Sequence, residues 1–541
     1  MPDRREGDNP RTVAAKDAEM KCDLPAAPSA TVPGETVPAV LKAAARAWPD
    51  AEAVVEGETR VSFAGLESMV AAAAAALRAS GVNKGDTVAL WAPNSLRWIV
   101  LQLAAAAMGA VLVPLNTRFK GPEAAYVLNR SRASLLVTTC DFLGQDYRDL
   151  LAGEHLPHLR EAVLLEEWEG FVARGGGSSD CVGDTPVAAE DWLDLMFTSG
   201  TTGKPKGVRS SHGVTVRSYR FYAENLGLRA SDRYLLANPL FHTFGSKAGV
   251  VASLLAGATV YPVPVFDPSA AAELIARERI TVFPGPPTVY HSLLALADED
   301  KRGLRSLRLA VTGAAAVPVE LLRRMREELG FEVVLTAYGL TETAGLVTMC
   351  RAGDPPEVVA STSGRPIPGV EVKTVRPDGS ETAPGEAGEV LVRGYPVMDG
   401  YFEDPAATAE VLDGEGWLRT GDVGLLDASG GLRITDRIKD MFIVGGFNAY
   451  PAEIEATLVE APGVAQAAVV GVPDERLGEV GRAFVVPRPG EEVDEAAVIA
   501  FARRRLANYK VPRSVVVVDS LPVNAGGKVM KHLLREGSWT T

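Results

Sequence analysis

The sequence predicts an α/β protein: a large N-terminal domain of two layered α/β subdomains plus a small β-barrel-like subdomain, followed by a small α+β C-terminal domain. Three observations carry this. Short apolar strands alternate with helical stretches through the first two thirds of the chain, the rhythm of layered α/β domains. From about 362 to 435 the texture changes to β-rich pieces separated by glycines. After Asp436 a compact segment mixes helices and strands again. At 541 residues the chain is long enough for several units of roughly 100–200 residues each.

Residues 1–33 are polar and proline-bearing without periodicity, which predicts a flexible tail. The N-terminal domain then runs over 34–435 and the C-terminal domain over 436–541. A helix is expected from Val37 to Trp48, a hairpin at Ala53–Val55 and Thr59–Val61, and a helix from Ser62 to Ser80. Ser62 is its N-cap and Gly81 its stop. Strands Val88–Trp91 and Ala110–Val113 flank a helix Trp98–Met108, and Ser134–Val137 is a further strand. The stretch Trp98–Leu115 approaches membrane-spanning length, but Gln102, Gly109 and Pro114 interrupt it. The run Leu193–Phe197 reads as a short apolar buried strand. Strands Tyr234–Ala237, Leu307–Thr312 and Glu332–Thr336 each end at a motif, where open α/β sheets place ligands. The β-rich pieces are Val370–Lys373, Gly388–Arg393 and Leu432–Ile434. In the C-terminal domain, helices are expected near Ala452–Glu460 and Ala496–Asn508, with strands at Ala465–Gly471 and Ala483–Val486.

A net charge of −14 argues against general nucleic-acid binding, which needs a basic face. The four cysteines are far apart and form no CxxC pair, so a zinc site or disulfide framework is not expected. The N-terminus lacks the layout of a signal peptide. A cytoplasmic protein without an integral membrane segment is expected, and the sequence leaves its oligomeric state open, a homodimer included.

The stretch Leu195–Val208 carries the first chemistry. Glycines 200, 203 and 207 let backbone N–H groups approach an anion. Thr198, Ser199, Thr201 and Thr202 add hydroxyl donors, and Lys204 and Lys206 add charge. It is a phosphate-handling loop but no Walker-type P-loop, because Gly203-Lys204 precedes Pro205 and position 198 is threonine. Tyr338-Gly-Leu-Thr-Glu342 offers an aromatic face for adenine, a hydroxyl, and a carboxylate able to hold Mg²⁺ against phosphates. Asp422 is placed in a turn, where it would accept two hydroxyl donors; an Asx-turn is the structural alternative. Gly445-Gly446 permits close approach of a slender ligand, and Lys528 stands on a glycine-flexible loop.

In this order and spacing, over about residues 37–535, the motifs resemble those of the adenylate-forming superfamily: acyl-CoA synthetases, nonribosomal adenylation domains and firefly-type luciferases. The resemblance implies ATP, Mg²⁺ and coenzyme A as cofactors and a small-molecule carboxylic acid as substrate. The acid would be activated to an acyl-adenylate and passed to CoA, giving a thioester, AMP and pyrophosphate. Thr198, Ser199, Gly200, Thr201, Thr202, Gly203, Lys204 and Lys206 would hold the β- and γ-phosphates. Gly313, Ala314, Ala315, Tyr338 and Gly339 would line the adenine. Thr341 and Glu342 would serve phosphate and metal, with Thr198 also at the metal, and Asp422 the ribose hydroxyls. Arg437 and Lys439 would contact the nucleotide and Asp436 would be the hinge of a mobile C-terminal domain. Lys528 would bridge the acid carboxylate and the α-phosphate, and Gly445-Gly446 would line the pantetheine tunnel.

Phe241-His-Thr-Phe-Gly245 lacks the aspartate with which amino-acid-activating relatives bind an α-amino group. His242 would gate the acyl pocket formed with Phe241, Gly339 and Lys247, with Lys247 recognising a polar group on the acid. Pro239–Gly249, Phe283–Tyr290 and Ala310–Glu320 further resemble CoA ligases of the bicyclic propanoate left by steroid-ring breakdown and of related alicyclic or medium-chain acids. The basic run Arg503–Arg505, Lys510 and Arg513 favours CoA, although an acyl carrier protein remains the alternative acceptor. A non-catalytic acyl-adenylate-binding protein is the reading from another class.

Overall fold

The computed structural model describes residues 31–176, 186–198, 205–297, 301–313, 317–437, 440–444, 447–449, 451–474, 477–506, 508–523 and 529–537. Its first helices begin where hydroxyl side chains take up free backbone N–H groups. Ser62 Oγ accepts from Gly65 N at 3.1 Å to start Phe63–Ala79, and Ser95 Oγ accepts from Trp98 N at 3.1 Å to start Leu96–Met108. Each such cap contributes about 1 kcal/mol. Gly109, at φ 66°, ends the second helix in the left-handed conformation that glycine adopts without penalty.

Helix Leu96–Met108 is buried at every position but Arg97, because it lies in a core fed by two sheets. The same cluster takes Val88, Leu90 and Leu112 from one sheet and Val54, Leu235 and Val260 from the other. An apolar stretch that reads as near membrane-spanning is thus an interior helix and strand. Among the described residues no helix is long and apolar enough to cross a membrane.

The first sheet has six strands in the order Glu161–Leu164, Leu135–Thr138, Thr87–Trp91, Val111–Pro114, Trp192–Thr198 and Lys206–Ser211. All neighbours are parallel except the last pair, an antiparallel hairpin. The second runs Thr59–Ser62, Glu52–Glu56, Thr259–Pro262, Arg233–Leu236. Bridges from Tyr234 to Val282 and from Val282 to Leu309 carry it on to the parallel strands Leu309–Thr312 and Val333–Tyr338. The β-rich subdomain is a four-stranded antiparallel meander, Val370–Val375, Gly388–Gly394, Leu418–Leu426 and Leu432–Arg437. In the C-terminal domain, Val464–Asp474 and Gly478–Pro487 form a long antiparallel pair beside helices Pro451–Val459 and Glu495–Arg503.

The structure corrects four expectations. Residues 31–33 are not part of a free tail: Val32 is buried, its N–H bonds Leu255 O at 2.9 Å, and Arg220 donates to Val32 O at 2.6 Å. Asp422 sits inside strand Leu418–Leu426 rather than in a turn, at the point where Gly421 takes φ 69° and the ladder is irregular. The last strand of the meander runs through Asp436 to Arg437, so these residues still pair with Val423 and Asp422. The late helix stops at Arg503, and Arg505 folds back over the Phe501 ring at 3.7 Å.

Candidate active site

Four strands bring their carboxyl ends to one side of the large domain: Trp192–Thr198, Arg233–Leu236, Leu309–Thr312 and Val333–Tyr338. Each runs directly into a segment with a predicted role. Asn94, buried between the two sheets, holds the second of these segments in place. Its amide donates to Leu236 O at 3.2 Å and Asn238 O at 2.9 Å and accepts from Leu240 N at 2.8 Å. Three backbone groups before Phe241 are thereby satisfied by one side chain, which fixes the turn without regular structure.

On the side expected to take the nucleotide, Thr198 and Lys206 are the last register partners of a hairpin, and the phosphate-loop motif falls between them in sequence. Tyr338 and Asp422, from different subdomains, meet through a 2.6 Å hydrogen bond from the phenol to the carboxylate. The residue expected against adenine and the one expected at ribose are thus neighbours. Gly313 lies against Ala337 O, where a Cβ would stand at 3.0 Å. Gly339 is exposed, and a Cβ there would meet Gly345 O at 2.2 Å. At Gly339 only glycine permits this approach to the Gly345 segment, whereas a Cβ at Gly313 would be tight.

Glu342 lies in the turn Thr341–Thr343 and is half-buried. Tyr401 Oη donates to Glu342 Oε1 at 3.0 Å, and Met398 N donates to Glu342 O at 2.8 Å. Lys206 Nζ stands 4.9 Å from the Tyr401 ring centroid. Burial and the Glu342 charge push the Tyr401 phenol pKa up, so it stays a hydrogen-bond donor. Among the described residues the second carboxylate oxygen of Glu342 has no hydrogen-bond partner. No group of three or more His, Cys, Asp or Glu gathers among the described residues to form a protein-only metal cage. That donor set fits Mg²⁺, which binds through one or two carboxylates together with substrate phosphates and water.

On the acid side, Phe241 is half-buried and His242 is exposed within the cleft. His242 caps a short helix, its Nδ1 accepting from Phe244 N at 3.2 Å. The surrounding protein pushes its pKa down and the Lys247 charge adds to this; with Nδ1 accepting, the neutral ring carries its hydrogen on Nε2. Lys247 requires a correction. It does not face a pocket: its side chain has no exposure, and Nζ lies 3.1 Å from Asp194 Oδ2 and 3.3 Å from Oδ1. Its charge is taken up inside the protein, where it cannot meet a polar group on the acid. The run Leu193–Phe197 is accordingly not apolar throughout, since Asp194 interrupts it.

Ser199, Gly200, Thr201, Thr202, Gly203, Lys204, Ala314, Ala315, Lys439, Gly445, Gly446 and Lys528 lie outside the described residues. Arg437 and Asp436 are placed by their backbone pairing alone. Asn94, Asp194 and Tyr401 are the site residues that motif reading missed. For Asp194 the signal was present: an acid inside a buried strand requires a partner. Tyr401 had none, because its role depends on two segments distant in sequence meeting in space.

A model of AMP-binding enzymes matches residues 41–402, and one of their C-terminal domain matches 453–528. The chain belongs to the AMP-binding enzyme family. A 7a-methyl-1,5-dioxo-octahydroindenyl-propanoyl:CoA ligase of Mycobacterium tuberculosis is 50% identical over 509 residues, covering 93% of this chain and 98% of that protein. A feruloyl-CoA synthase of Amycolatopsis is 39% identical over 492 residues, 91% of this chain and 96% of the relative. Among solved structures, ATP-bound MatB of Rhodopseudomonas palustris matches with a TM-score of 0.84 at 30% identity, over 93% of this chain and 99% of MatB. The anthranilate CoA ligase AuaEII in complex with anthranoyl-AMP matches with a TM-score of 0.84 at 29% identity, over 93% and 97%.

For this AMP-binding enzyme the Tyr338–Asp422 bond makes a specific prediction. Tyr338→Phe keeps the ring and removes a hydroxyl bonded to a carboxylate, an interaction of about 1.5–3 kcal/mol. The KM for ATP is expected to rise about 10–100-fold, with the KM for CoA unchanged. Initial-rate kinetics with each substrate varied in turn check this.

Proposed function

We propose that this protein is an ATP-dependent carboxylic acid–CoA ligase whose acid is a bulky alicyclic propanoate, the class named for its 50%-identical relative. The observation that carries the ligase reading is the meeting, in one cleft, of the Tyr338–Asp422 pair, the Glu342 turn and the Thr198–Lys206 hairpin. The segment expected at the acid presents an exposed His242 flanked in sequence by Phe241 and Phe244. The flanking aromatics offer an apolar surface, and no carboxylate occurs from Asn238 to Gly249 to hold an α-amino group.

A carboxylate is a poor acyl donor because its leaving group would be oxide. In the first half-reaction, an oxygen of the acid attacks the α-phosphorus of ATP and pyrophosphate leaves. In the second, the CoA sulfur attacks the acyl carbon, its proton is lost to solvent, and AMP leaves. The chain's own contribution is to hold and orient the reactants. The hairpin loop cradles the departing phosphates, Tyr338 and Asp422 fix the adenosine, and Lys528 bridges the reacting oxygens. Mg²⁺ at Glu342 would neutralise phosphate charge. Asp436 is the hinge about which the C-terminal domain turns between half-reactions, and Gly445-Gly446 then lines the path of the thiol.

The test is thioester formation, followed by mass spectrometry, with a bicyclic propanoate, ferulate, octanoate and malonate offered separately. The bicyclic acid is expected to give the highest kcat/KM. A higher value for ferulate or octanoate would replace the substrate class and keep the ligase.

A further inference from the structure

Lys247 and Asp194 form the most deeply buried ion pair among the described residues: the two side chains are 0% and 5% exposed. Burial drives the Asp194 pKa up and that of Lys247 down; their mutual attraction opposes both shifts, and a hydrogen bond from Ser210 further opposes that of Asp194. Such a pair contributes little net stability, since apolar side chains of similar volume do as well or better. What it supplies is direction: one ammonium within reach of both oxygens of one carboxylate fixes the distance between two elements.

The elements it joins are informative. Asp194 stands four residues before Thr198 on the strand that enters the phosphate loop. The ladder is irregular between Trp192 and Asp194, and Ser210 is the register partner of Asp194 across the hairpin. Lys247 stands five residues after His242. It lies in a π-helical stretch, Ser246–Val251, buried at all positions. Wide π turns and strand irregularities are both costly departures that recur beside functional sites. Here the two departures face each other through one ion pair. At the same N-terminal end the helix is tied to His242, as Ser246 Oγ donates to His242 O at 3.0 Å.

We propose that the Lys247–Asp194 pair is a positioning device that fixes the His242 mouth of the acid site against the strand carrying the phosphate loop. It sets the distance at which the acid meets the α-phosphate. Neither side chain touches substrate. The proposal rests on the ligase reading for its consequence in catalysis, while the mechanical link stands without it.

The experiment uses Lys247→Met/Asp194→Leu, which removes both charges and leaves neither stranded. Hydrogen exchange on the free full-length protein is expected to speed up about tenfold in 195–198 and 242–246 together. Adenylation kcat is expected to fall about 10–100-fold, as misplacement of reacting groups by about 1 Å does, with the KM for ATP unchanged. Exchange like that of wild type at either segment overturns the link. Faster exchange with unchanged kcat overturns the positioning role. Should the double variant not fold, Lys247→Gln/Asp194→Asn keeps polar side chains of similar size without a stranded charge and is read by the same criteria. A wild type that forms no thioester with any acid refutes the ligase reading instead, and the exchange measurement still decides the link.

Discussion

Lys528→Ala is expected to slow acyl-adenylate formation by about 10²–10³-fold, the cost of removing one preorganised charge from a developing transition state. The cation is needed where a carboxylate oxygen and the α-phosphate, both negative, are brought together. It is not needed once the adenylate exists, because AMP then leaves as a stabilised anion. The variant is therefore expected to convert a supplied acyl-adenylate to thioester at the wild-type rate. Single-turnover measurements of each half-reaction check this division. Equal loss in both halves would place Lys528 in the fold or in the second step.

The second large effect is expected at Glu342. Glu342→Gln keeps the size of the side chain and its contact with Tyr401 Oη, at 3.0 Å in the native protein. It removes the negative charge proposed to hold Mg²⁺ beside the phosphates. Adenylation is expected to fall about 10²-fold, and the Mg²⁺ concentration giving half-maximal ATP binding to rise. Titration calorimetry of ATP at several Mg²⁺ concentrations reads the second effect without turnover. An unchanged Mg²⁺ dependence would remove Glu342 from the metal site. The segment around Tyr401 bears on the same geometry, since Phe402 N also bonds Gly207 O at 2.8 Å. One short stretch of the large domain thus touches both Glu342 and the base of the Thr198–Lys206 hairpin.

What the sequence showed and what it hid follow from the range of the forces involved. Ser62 as a cap, Gly109 as a break, and strands at 193–197, 307–312 and 332–336 are legible, their ends within two residues of those observed, because caps, glycines and apolar periodicity act over a few residues. Asp422 was assigned to a turn because glycines surround it. The structure makes it a strand residue because the partner strand Leu432–Arg437 decides the matter. Lys247 was misplaced for the same reason: a lysine in an apolar helix looks like a pocket group until its partner, 53 residues earlier in the chain, is seen across the core. Tyr401 and Asn94 act wholly through contacts between distant segments, and no local pattern marks them.

The most direct measurement is the stoichiometry of products from ATP, Mg²⁺, CoA and the bicyclic propanoate, with an acyl carrier protein offered in parallel. A two-step ligase predicts pyrophosphate, AMP and acyl-CoA in a ratio of one to one to one, with turnover dependent on CoA. Pyrophosphate release that CoA never accelerates, with the acyl group appearing on the carrier protein, would contradict it.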